Sequence, residues 1–294
     1  MKNIVFVALA LVFVACENES QVFENEATGY AQGSTYQIKY VTAESQDWTN
    51  SFDSIFNVID QSMSTYVDES LISLINHGDT LVEVDNLFME VLNRSLEISE
   101  ESDGLFDVTV GPLVELWGFG KSKEIDIDSS KVDSARSLIG YKQIHIENNA
   151  VSVPQGFKID FNSIAQGYTV DVIARYLELK GVKQYMVEVG GEVCAKGKNS
   201  KDNYWKIGVD KPSDEIDPED RFQMIVELRD KSLATSGNYR KYWVDSETGI
   251  KYAHTINPQT GFPAKNQLLS VSIIADQCID ADAYATACMV MGLH

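Results

Sequence analysis

The chain has 294 residues, of which 44% are hydrophobic and 23% are charged. This composition is globular and too apolar for a disordered protein, and 19 glycines against 6 prolines exclude collagen-like and proline-rich fibrous chains. The 44 acidic and 24 basic residues give a net charge of −20. Such a chain is a poor nucleic-acid binder, because duplex affinity depends on Lys and Arg. A phosphate-bearing ligand would need a local positive source, such as a metal ion or backbone N–H groups.

The first residues predict export and a lipid anchor. An apolar run over residues 4–15 is too short to span a bilayer but has the length of a signal-peptide core. It ends in Phe13-Val14-Ala15-Cys16, so we expect residues 1–15 to be a lipoprotein signal peptide and Cys16 to carry the lipid. An ordinary secretion signal that contains a cysteine is the alternative. The acidic and polar residues that follow predict a flexible tether over residues 16–29.

Three cysteines remain after the predicted cleavage and lipidation: Cys194, Cys278 and Cys288. An odd number in an exported protein predicts no disulfide framework. The chain has no C-x-x-C pair, which argues against thiol redox chemistry and a structural zinc site. We therefore interpret the three cysteines as buried or incidental.

Strands and helices are interleaved along the rest of the chain. Apolar residues at helical spacing predict helices after residue 52 and after residue 164, while Ser70 and Asp85 are predicted N-caps of two further helices. The last helix is expected at residues 282–290. We expect strands at residues 34–41, 185–189, 205–209, 223–228 and 269–275. Glycine, aspartate and proline at tight spacing predict a shaped loop around a short strand at residues 103–112. Residues 30–294 are thus predicted to form one compact α+β unit with two closely packed lobes.

Several short patterns could carry chemistry, although each is weak alone. Asp282 and Thr286 lie four residues apart and so share a helix face, as hard oxygen donors for Mg²⁺ or Ca²⁺ would, but a solvated face has the same pattern. Gly190-Gly191 after a strand allows a close approach to a ligand, or simply a tight turn. Two polar loops, residues 235–240 and 254–261, contain Arg240 and His254, and the histidine could carry protons or be a buried structural group. The dinucleotide-binding, P-loop, serine-hydrolase and zinc-protease motifs are absent.

Eight short segments occur in a fixed order. They are Gly33-Ser34-Thr35-Tyr36; Met63-Ser64-Thr65-Tyr66 with Ser70 and Asn76; residues 104–113; residues 160–171; Val189-Gly190-Gly191-Glu192; Thr235-Ser236-Gly237-Asn238-Tyr239; His254-Thr255-Ile256-Asn257-Pro258; and Asp282-Ala283-Tyr284-Ala285-Thr286. Any one could be chance, but the ordered set could not. From about Gln32 to the C-terminus the chain resembles the FAD:protein FMN transferase family, the ApbE type of periplasmic flavin lipoprotein. The resemblance implies a T-fold-like α+β unit.

The resemblance also implies a binding site. In such proteins FAD lies in a cleft with a magnesium ion on its pyrophosphate. By matching motifs, Asp282 and Thr286 would be side-chain ligands of Mg²⁺, Ser163 would offer its backbone carbonyl, and Ala285 holds a position that is sometimes a further ligand. His254 and Asp160 are the candidate catalytic residues. The positions that line the flavin and adenosine ends are Gln32, Tyr66, Leu105, Phe106, Asp107, Asp160, Gln166 and Ile256.

Two residues depart from the family pattern, because Gln32 stands where Met is common and Gln166 where Lys is common. The family also usually continues some tens of residues past the last helix, which leaves a truncated or trimmed C-terminal end as an expectation.

The implied reaction transfers FMN from FAD to a threonine or serine hydroxyl of an acceptor protein and releases AMP. Acceptors would be exported or membrane-bound redox proteins with a Thr/Ser flavinylation motif, and the enzyme would be lipid-anchored to a bacterial membrane, facing the periplasm or exposed at the surface. The alternatives are an FAD pyrophosphatase, a flavin-binding lipoprotein without chemistry, and a lipid-anchored scaffold.

Overall fold

The computed structural model describes residues 22–78, 81–121, 127–213, 220–239, 242–245 and 248–293. Cys16 and the predicted signal peptide lie outside the described residues. The helices are α1 (Thr49–Met63), α2 (Leu71–Asn76), α3 (Asn86–Glu101), α4 (Gly111–Leu116), α5 (Ser129–Arg136), α6 (Ala165–Leu179) and α7 (Cys278–Met291). The strands are β1 (Phe23–Ala31), β2 (Ser34–Thr42), β3 (Val82–Glu83), β4 (His145–Glu147), β5 (Ala150–Ser152), β6 (Tyr185–Val189), β7 (Glu192–Lys196), β8 (Trp205–Asp210), β9 (Phe222–Leu228), β10 (Lys231–Gly237), β11 (Tyr242–Val244), β12 (Lys251–Ala253) and β13 (Ser270–Ala275).

A six-stranded sheet forms the centre of the molecule. Its strand order is β1-β2-β6-β7-β10-β13, and every neighbouring pair is antiparallel. Alternate side chains of β2 and β6 point to one face, where Ile38 and Val187 are completely buried. Phe52 of α1 and Ile173 of α6 pack against that face. The period-two pattern of the strands thus meets the 3.6-residue pattern of the helices in one core.

Two further core clusters flank this layer. On the helical side, Phe88 of α3 and Phe161 pack edge to face with ring centroids 5.1 Å apart, within a cluster that includes Tyr168 of α6 and Ile279 of α7. On the opposite face of the sheet, the β8–β9 hairpin covers Met186 and Leu233 through Trp205 and Leu228. Helices α6 and α7 therefore contribute to the core on the sheet and to the cluster on the helical side. The prediction of a mixed α+β unit is confirmed.

Local sequence signals placed several elements correctly. Ser70 caps α2 by accepting a hydrogen bond from the Ser73 N–H, and Asp85 caps α3 by accepting one from the Phe88 N–H over 2.7 Å. The predicted strand at residues 34–41 is β2 with one added residue.

Three sequence predictions differ from the structure. Residues 23–29, which were assigned to the tether, lie in β1 and pair with β2, so the tether prediction is wrong for them. Thr235 and Ser236 were assigned to a polar loop but lie in β10, whose backbone pairs with β13. Helix α4 begins at Gly111, inside the segment predicted as a loop, with Pro112 in its first turn. Within the part of the chain that the structure describes, no helix is long and apolar enough to cross a membrane.

Candidate functional site

Turns at one end of the large sheet form the floor of the candidate site. Gln32 and Gly33 join β1 to β2 with positive φ angles of 51° and 73°, and Gly190 and Gly191 join β6 to β7 with positive φ angles of 68° and 109°. The two turns are neighbours, because the Gly190 N–H donates to the Thr35 carbonyl over 3.0 Å. Glycine is required at residue 190, since a Cβ there would also lie 2.6 Å from the Gln166 Nε2 atom.

Helices α6 and α7 meet at this floor, and α7 carries the predicted side-chain metal ligands Asp282 and Thr286. The Gly167 N–H donates a 3.0 Å hydrogen bond to Asp282 Oδ2. One turn further along α7, Thr286 Oγ1 shares a 3.1 Å hydrogen bond with Ser236 Oγ of β10. Asp282 is 6% exposed, and burial raises its pKa to about 7, with a smaller contribution from the charge of Asp171. The structure therefore brings Asp282 and Thr286 to one helix face, as the sequence predicted.

The remaining predicted metal ligands offer backbone atoms only, or lie on a loop. Ser163 precedes α6 and is partly exposed, whereas Ala285 is completely buried and has no side-chain donor. Across the described ranges no group of three or more His, Cys, Asp or Glu residues is placed to hold a metal ion. A cation at Asp282 and Thr286 would therefore depend on one carboxylate, one hydroxyl, carbonyl groups and its ligand. These are the oxygen donors that Mg²⁺ accepts, and it commonly completes its shell with water and substrate phosphates.

Asp160 lies on the loop that leads into α6. Its N–H donates to the Val108 carbonyl over 2.7 Å, and its Oδ1 accepts from the Asn162 N–H over 2.8 Å. Burial raises its pKa, and the nearby charge of Glu115 adds to the effect. The carboxyl lines a cavity of ≈ 220 Å³ together with Thr65, Asn76 and Lys158. Asp160 is thus a buried acid beside a polar cavity, which is the environment that favours proton transfer.

The loop at residues 103–110 is held by contacts of its own side chains, which the sequence did not predict. Asp107 Oδ1 accepts from both the N–H and the hydroxyl of Thr109, and its Oδ2 accepts from the Tyr141 N–H over 3.0 Å. Phe106 is 2% exposed and packs in the core, while Leu105 is partly exposed. The side chains of Asp107 and Phe106 therefore make contacts within the protein, and Leu105 is the most exposed of these three residues.

The loop that contains His254 reaches the same region. Gln259 Nε2 donates to the Asp103 carbonyl over 2.8 Å, and the His254 ring lies 6.2 Å from the Phe119 ring, centroid to centroid. Ile256 is buried in a cluster with Trp117. Tyr66, by contrast, is 62% exposed.

Two residues that the sequence did not single out belong to the floor. Thr169 accepts a 2.9 Å hydrogen bond from Gln32 Nε2, across 137 residues of chain. Asn238, directly after β10, has a buried Oδ1 for which the described residues provide no hydrogen-bond partner, and the same holds for Gln32 Oε1. Buried polar atoms without partners are rare in folded proteins and call for an explanation, such as a missing ligand. The sequence signal that could have pointed to Asn238 is its place in the Thr235-Ser236-Gly237-Asn238-Tyr239 segment.

Comparisons with known proteins agree with this geometry. Residues 32–294 match the ApbE family. The chain is 35% identical to the FAD:protein FMN transferase of Vibrio cholerae serotype O1, over 99% of this chain and 88% of that protein. The structure superposes on the flavin transferase ApbE from Vibrio cholerae with a TM-score of 0.82 and 34% identity, covering 93% of this chain and 89% of that one. The apo flavinyl transferase ApbE of Pseudomonas stutzeri gives a TM-score of 0.83 and 32% identity, with 93% and 86% covered.

Proposed function

This chain belongs to the ApbE family, and we propose that its sheet-end floor binds FAD with Mg²⁺. The chain is a transferase that uses FAD as its substrate and a protein as its acceptor. The transferred group is FMN, and the acceptor atom is a threonine or serine hydroxyl oxygen. The single observation that carries this placement is a pair of buried polar atoms without hydrogen-bond partners among the described residues, Gln32 Oε1 and Asn238 Oδ1. The Gln32 amide contacts α6, which also contacts Asp282, and Asn238 lies two residues after Ser236, which contacts Thr286.

The charge of the chain is consistent with a metal-assisted site. A net charge of −20 repels an anionic dinucleotide in general. Asp282 and Thr286 would hold Mg²⁺ from the protein side, with the Ser163 carbonyl as a further ligand. When bound, Mg²⁺ would supply the positive charge that phosphoryl transfer needs on the pyrophosphate oxygens. Gln166, at the position where the family commonly has Lys, brings no charge of its own, so the dependence on the metal should be strict.

The bond changes follow from the products. The acceptor hydroxyl oxygen forms a bond to the phosphorus on the FMN side of FAD. The bond from that phosphorus to the bridging oxygen breaks, and AMP leaves with the bridging oxygen. The proton of the hydroxyl passes to a nearby base, for which Asp160 and His254 are the candidates. Asp160 meets the physical requirement, because burial raises the pKa of its carboxyl toward neutrality.

The acceptor and its location are also part of the proposal. We infer that Cys16 carries a lipid and that the enzyme acts in a bacterial cell envelope, facing the periplasm, on exported or membrane-bound redox proteins. Since β1 begins at Phe23, only seven residue steps separate it from Cys16. At about 3.5 Å per step the domain would lie within roughly 25 Å of the membrane anchor. Cys16→Ser should move the protein from the membrane fraction to the soluble fraction, and a membrane-bound variant would contradict the anchor.

One experiment separates transfer from its alternatives. The protein is incubated with FAD and Mg²⁺, with and without a candidate acceptor domain, and both protein masses and AMP are measured. Transfer predicts that the acceptor gains the mass of FMN less one water and that AMP appears in equal amount. AMP release with an unmodified acceptor would instead indicate a pyrophosphatase, and bound flavin without AMP release would indicate a carrier. An acceptor whose threonine and serine residues are replaced by alanine is the matched control.

A further inference from the structure

Gln32 is an unusual residue for the turn in which it stands. The register pairs Ala31 with Ser34, so Gln32 and Gly33 are the two central residues of the β1–β2 hairpin, and both have positive φ. Such turns favour Asn, Asp or Gly at the first position, because longer side chains are strained there. The turn itself therefore does not explain why a glutamine occupies this position.

The neighbouring threonine fixes the orientation of the Gln32 amide. The Thr169 hydroxyl has a single hydrogen, which it donates to the Ala165 carbonyl over 2.8 Å within α6. Toward Gln32 it can therefore only accept. The group that lies 2.9 Å from Thr169 Oγ1 must then be the amide nitrogen of Gln32, which leaves the amide oxygen on the other side.

That oxygen is buried and has no hydrogen-bond partner in the described part of the chain. Leaving a buried acceptor without a donor is costly, whereas giving it a donor recovers the loss. None of the described residues donates to it, although Gln166 and the two glycines of the β6–β7 turn lie on the same floor. A ligand with an N–H or O–H group would supply that donor.

We propose that Gln32 is a specificity-determining residue whose side-chain oxygen accepts a hydrogen bond from a neutral N–H or O–H donor of FAD. This rests on the proposed function, since it takes FAD as the occupant of the floor. FAD has such donors in both halves, on the flavin ring, the ribityl chain, the ribose and the adenine. Gln32 would recognise a hydrogen-bond donor, whereas the thioether of Met, which is common at this position in the family, accepts hydrogen bonds only weakly. The glutamine would therefore add selectivity that a methionine does not provide.

The test measures binding rather than turnover, so that a failure of transfer and a failure of this proposal can be told apart. Dissociation constants for FAD, FMN and AMP are measured with Mg²⁺ on the wild-type protein, Gln32→Met and the control Gln37→Met. Gln37 lies on β2 of the same hairpin, and its amide donates to the exposed Glu26 carboxylate. Loss of one buried hydrogen bond predicts about tenfold weaker FAD binding by Gln32→Met and no change for Gln37→Met.

The two product fragments locate the donor. If only FMN binding weakens, the donor lies in the flavin half, and if only AMP binding weakens, it lies in the adenosine half. Either result supports the proposal, provided that the melting temperature is unchanged. If Gln32→Met binds all three ligands within about twofold of the wild type, the proposal is overturned.

Wild-type protein gives an independent measurement should the variant fail to fold. FMN is compared with 3-methyl-FMN, which lacks the ring N–H, and with an analogue lacking the ribityl hydroxyls. AMP is compared with 2′,3′-dideoxy-AMP and with inosine monophosphate, in which a carbonyl replaces the amino group. At least one donor-deleted ligand should bind about tenfold more weakly than its parent. If all four bind as tightly as their parents, Gln32 recognises no donor.

Discussion

Gly167 and Asp282 join the two helices of the site, since the Gly167 N–H donates to the Asp282 carboxylate over 3.0 Å. The backbones are so close that a Cβ on Gly167 would lie 2.7 Å from the Asp282 Cβ and would also collide with the Cys278 carbonyl oxygen. Glycine inside a helix costs about 1 kcal/mol relative to alanine. Its presence in α6 therefore reflects the close packing against α7.

We expect Gly167→Ala to lower stability despite the better helix propensity of alanine. The added methyl group must push α7 away, and overpacking of this kind typically costs about 1–3 kcal/mol. Thermal unfolding measures the change, with the exposed Leu179→Ala on the same helix as the control. The packing argument fails if Gly167→Ala melts at the same temperature as the wild type, or higher.

If Asp282 binds Mg²⁺, removing its negative charge should lower FMN transfer while leaving the fold intact. Asp282→Asn keeps an oxygen that can accept the Gly167 N–H but removes the negative charge. Transfer at limiting Mg²⁺ should fall by more than about 100-fold, since loss of outer-shell groups alone costs 10- to 100-fold. The measurement is FMN transfer as a function of Mg²⁺ concentration. Asp276→Asn, which removes a carboxylate paired with Lys231 just before α7, is the matched control. An unchanged Mg²⁺ dependence in Asp282→Asn would refute the assignment.

Local signals predicted the fold better than long-range ones did. The N-caps Ser70 and Asp85 could be placed because a cap is made within three residues of sequence. Strand β1 was missed because it lies at the edge of the sheet, where few of its side chains, such as Asn25 and Ala27, are buried. Its polar sequence therefore looks like a tether.

In the candidate site, too, residues linked by local sequence spacing could be predicted, and residues linked only by long-range contacts could not. Asp282 and Thr286 were found because one helix turn separates them in sequence. Thr169 could not be found, since its role depends on a contact with Gln32 made only by the folded chain. Asp107 was assigned to the ligand by resemblance, but no sequence signal could show that Thr109 and Tyr141 occupy both of its oxygens.

The hydrogen bonds of Asp107 predict a mainly structural effect when it is replaced. In Asp107→Ala the N–H groups of Thr109 and Tyr141 lose a buried acceptor, which should lower the free energy of unfolding by about 2 kcal/mol. Urea unfolding provides the value. Asp133→Ala, at an exposed site with a surface ion pair to Arg136, should change stability by less than about 0.5 kcal/mol. If Asp107→Ala is as stable as the wild type but binds FAD weakly, Asp107 contacts the ligand instead.

Asp171 lies at the contact between α6 and α7 and should make the stability of the protein depend on pH. Its two carboxylate oxygens accept the Cys278 and Ile279 N–H groups at the start of α7, each over 2.9 Å. Burial nevertheless raises its pKa from 3.8 to about 6, with Arg175 opposing and Asp280 adding to the shift. The folded state therefore binds the proton more tightly than the unfolded state does.

The sign of the pH dependence follows from that difference. The stabilisation due to protonated Asp171 is complete below about pH 4 and is lost as the pH rises through 6. A shift of about two pKa units corresponds to about 3 kcal/mol. Asp171→Asn cannot titrate, so the stability of the wild type minus that of Asp171→Asn should fall between pH 4 and pH 7. Urea unfolding of both proteins across this range checks the prediction, with Asp276→Asn as a surface control that leaves the slope unchanged. A difference that stays flat, or that increases with pH, would show that the two N–H groups outweigh burial and hold Asp171 ionised throughout.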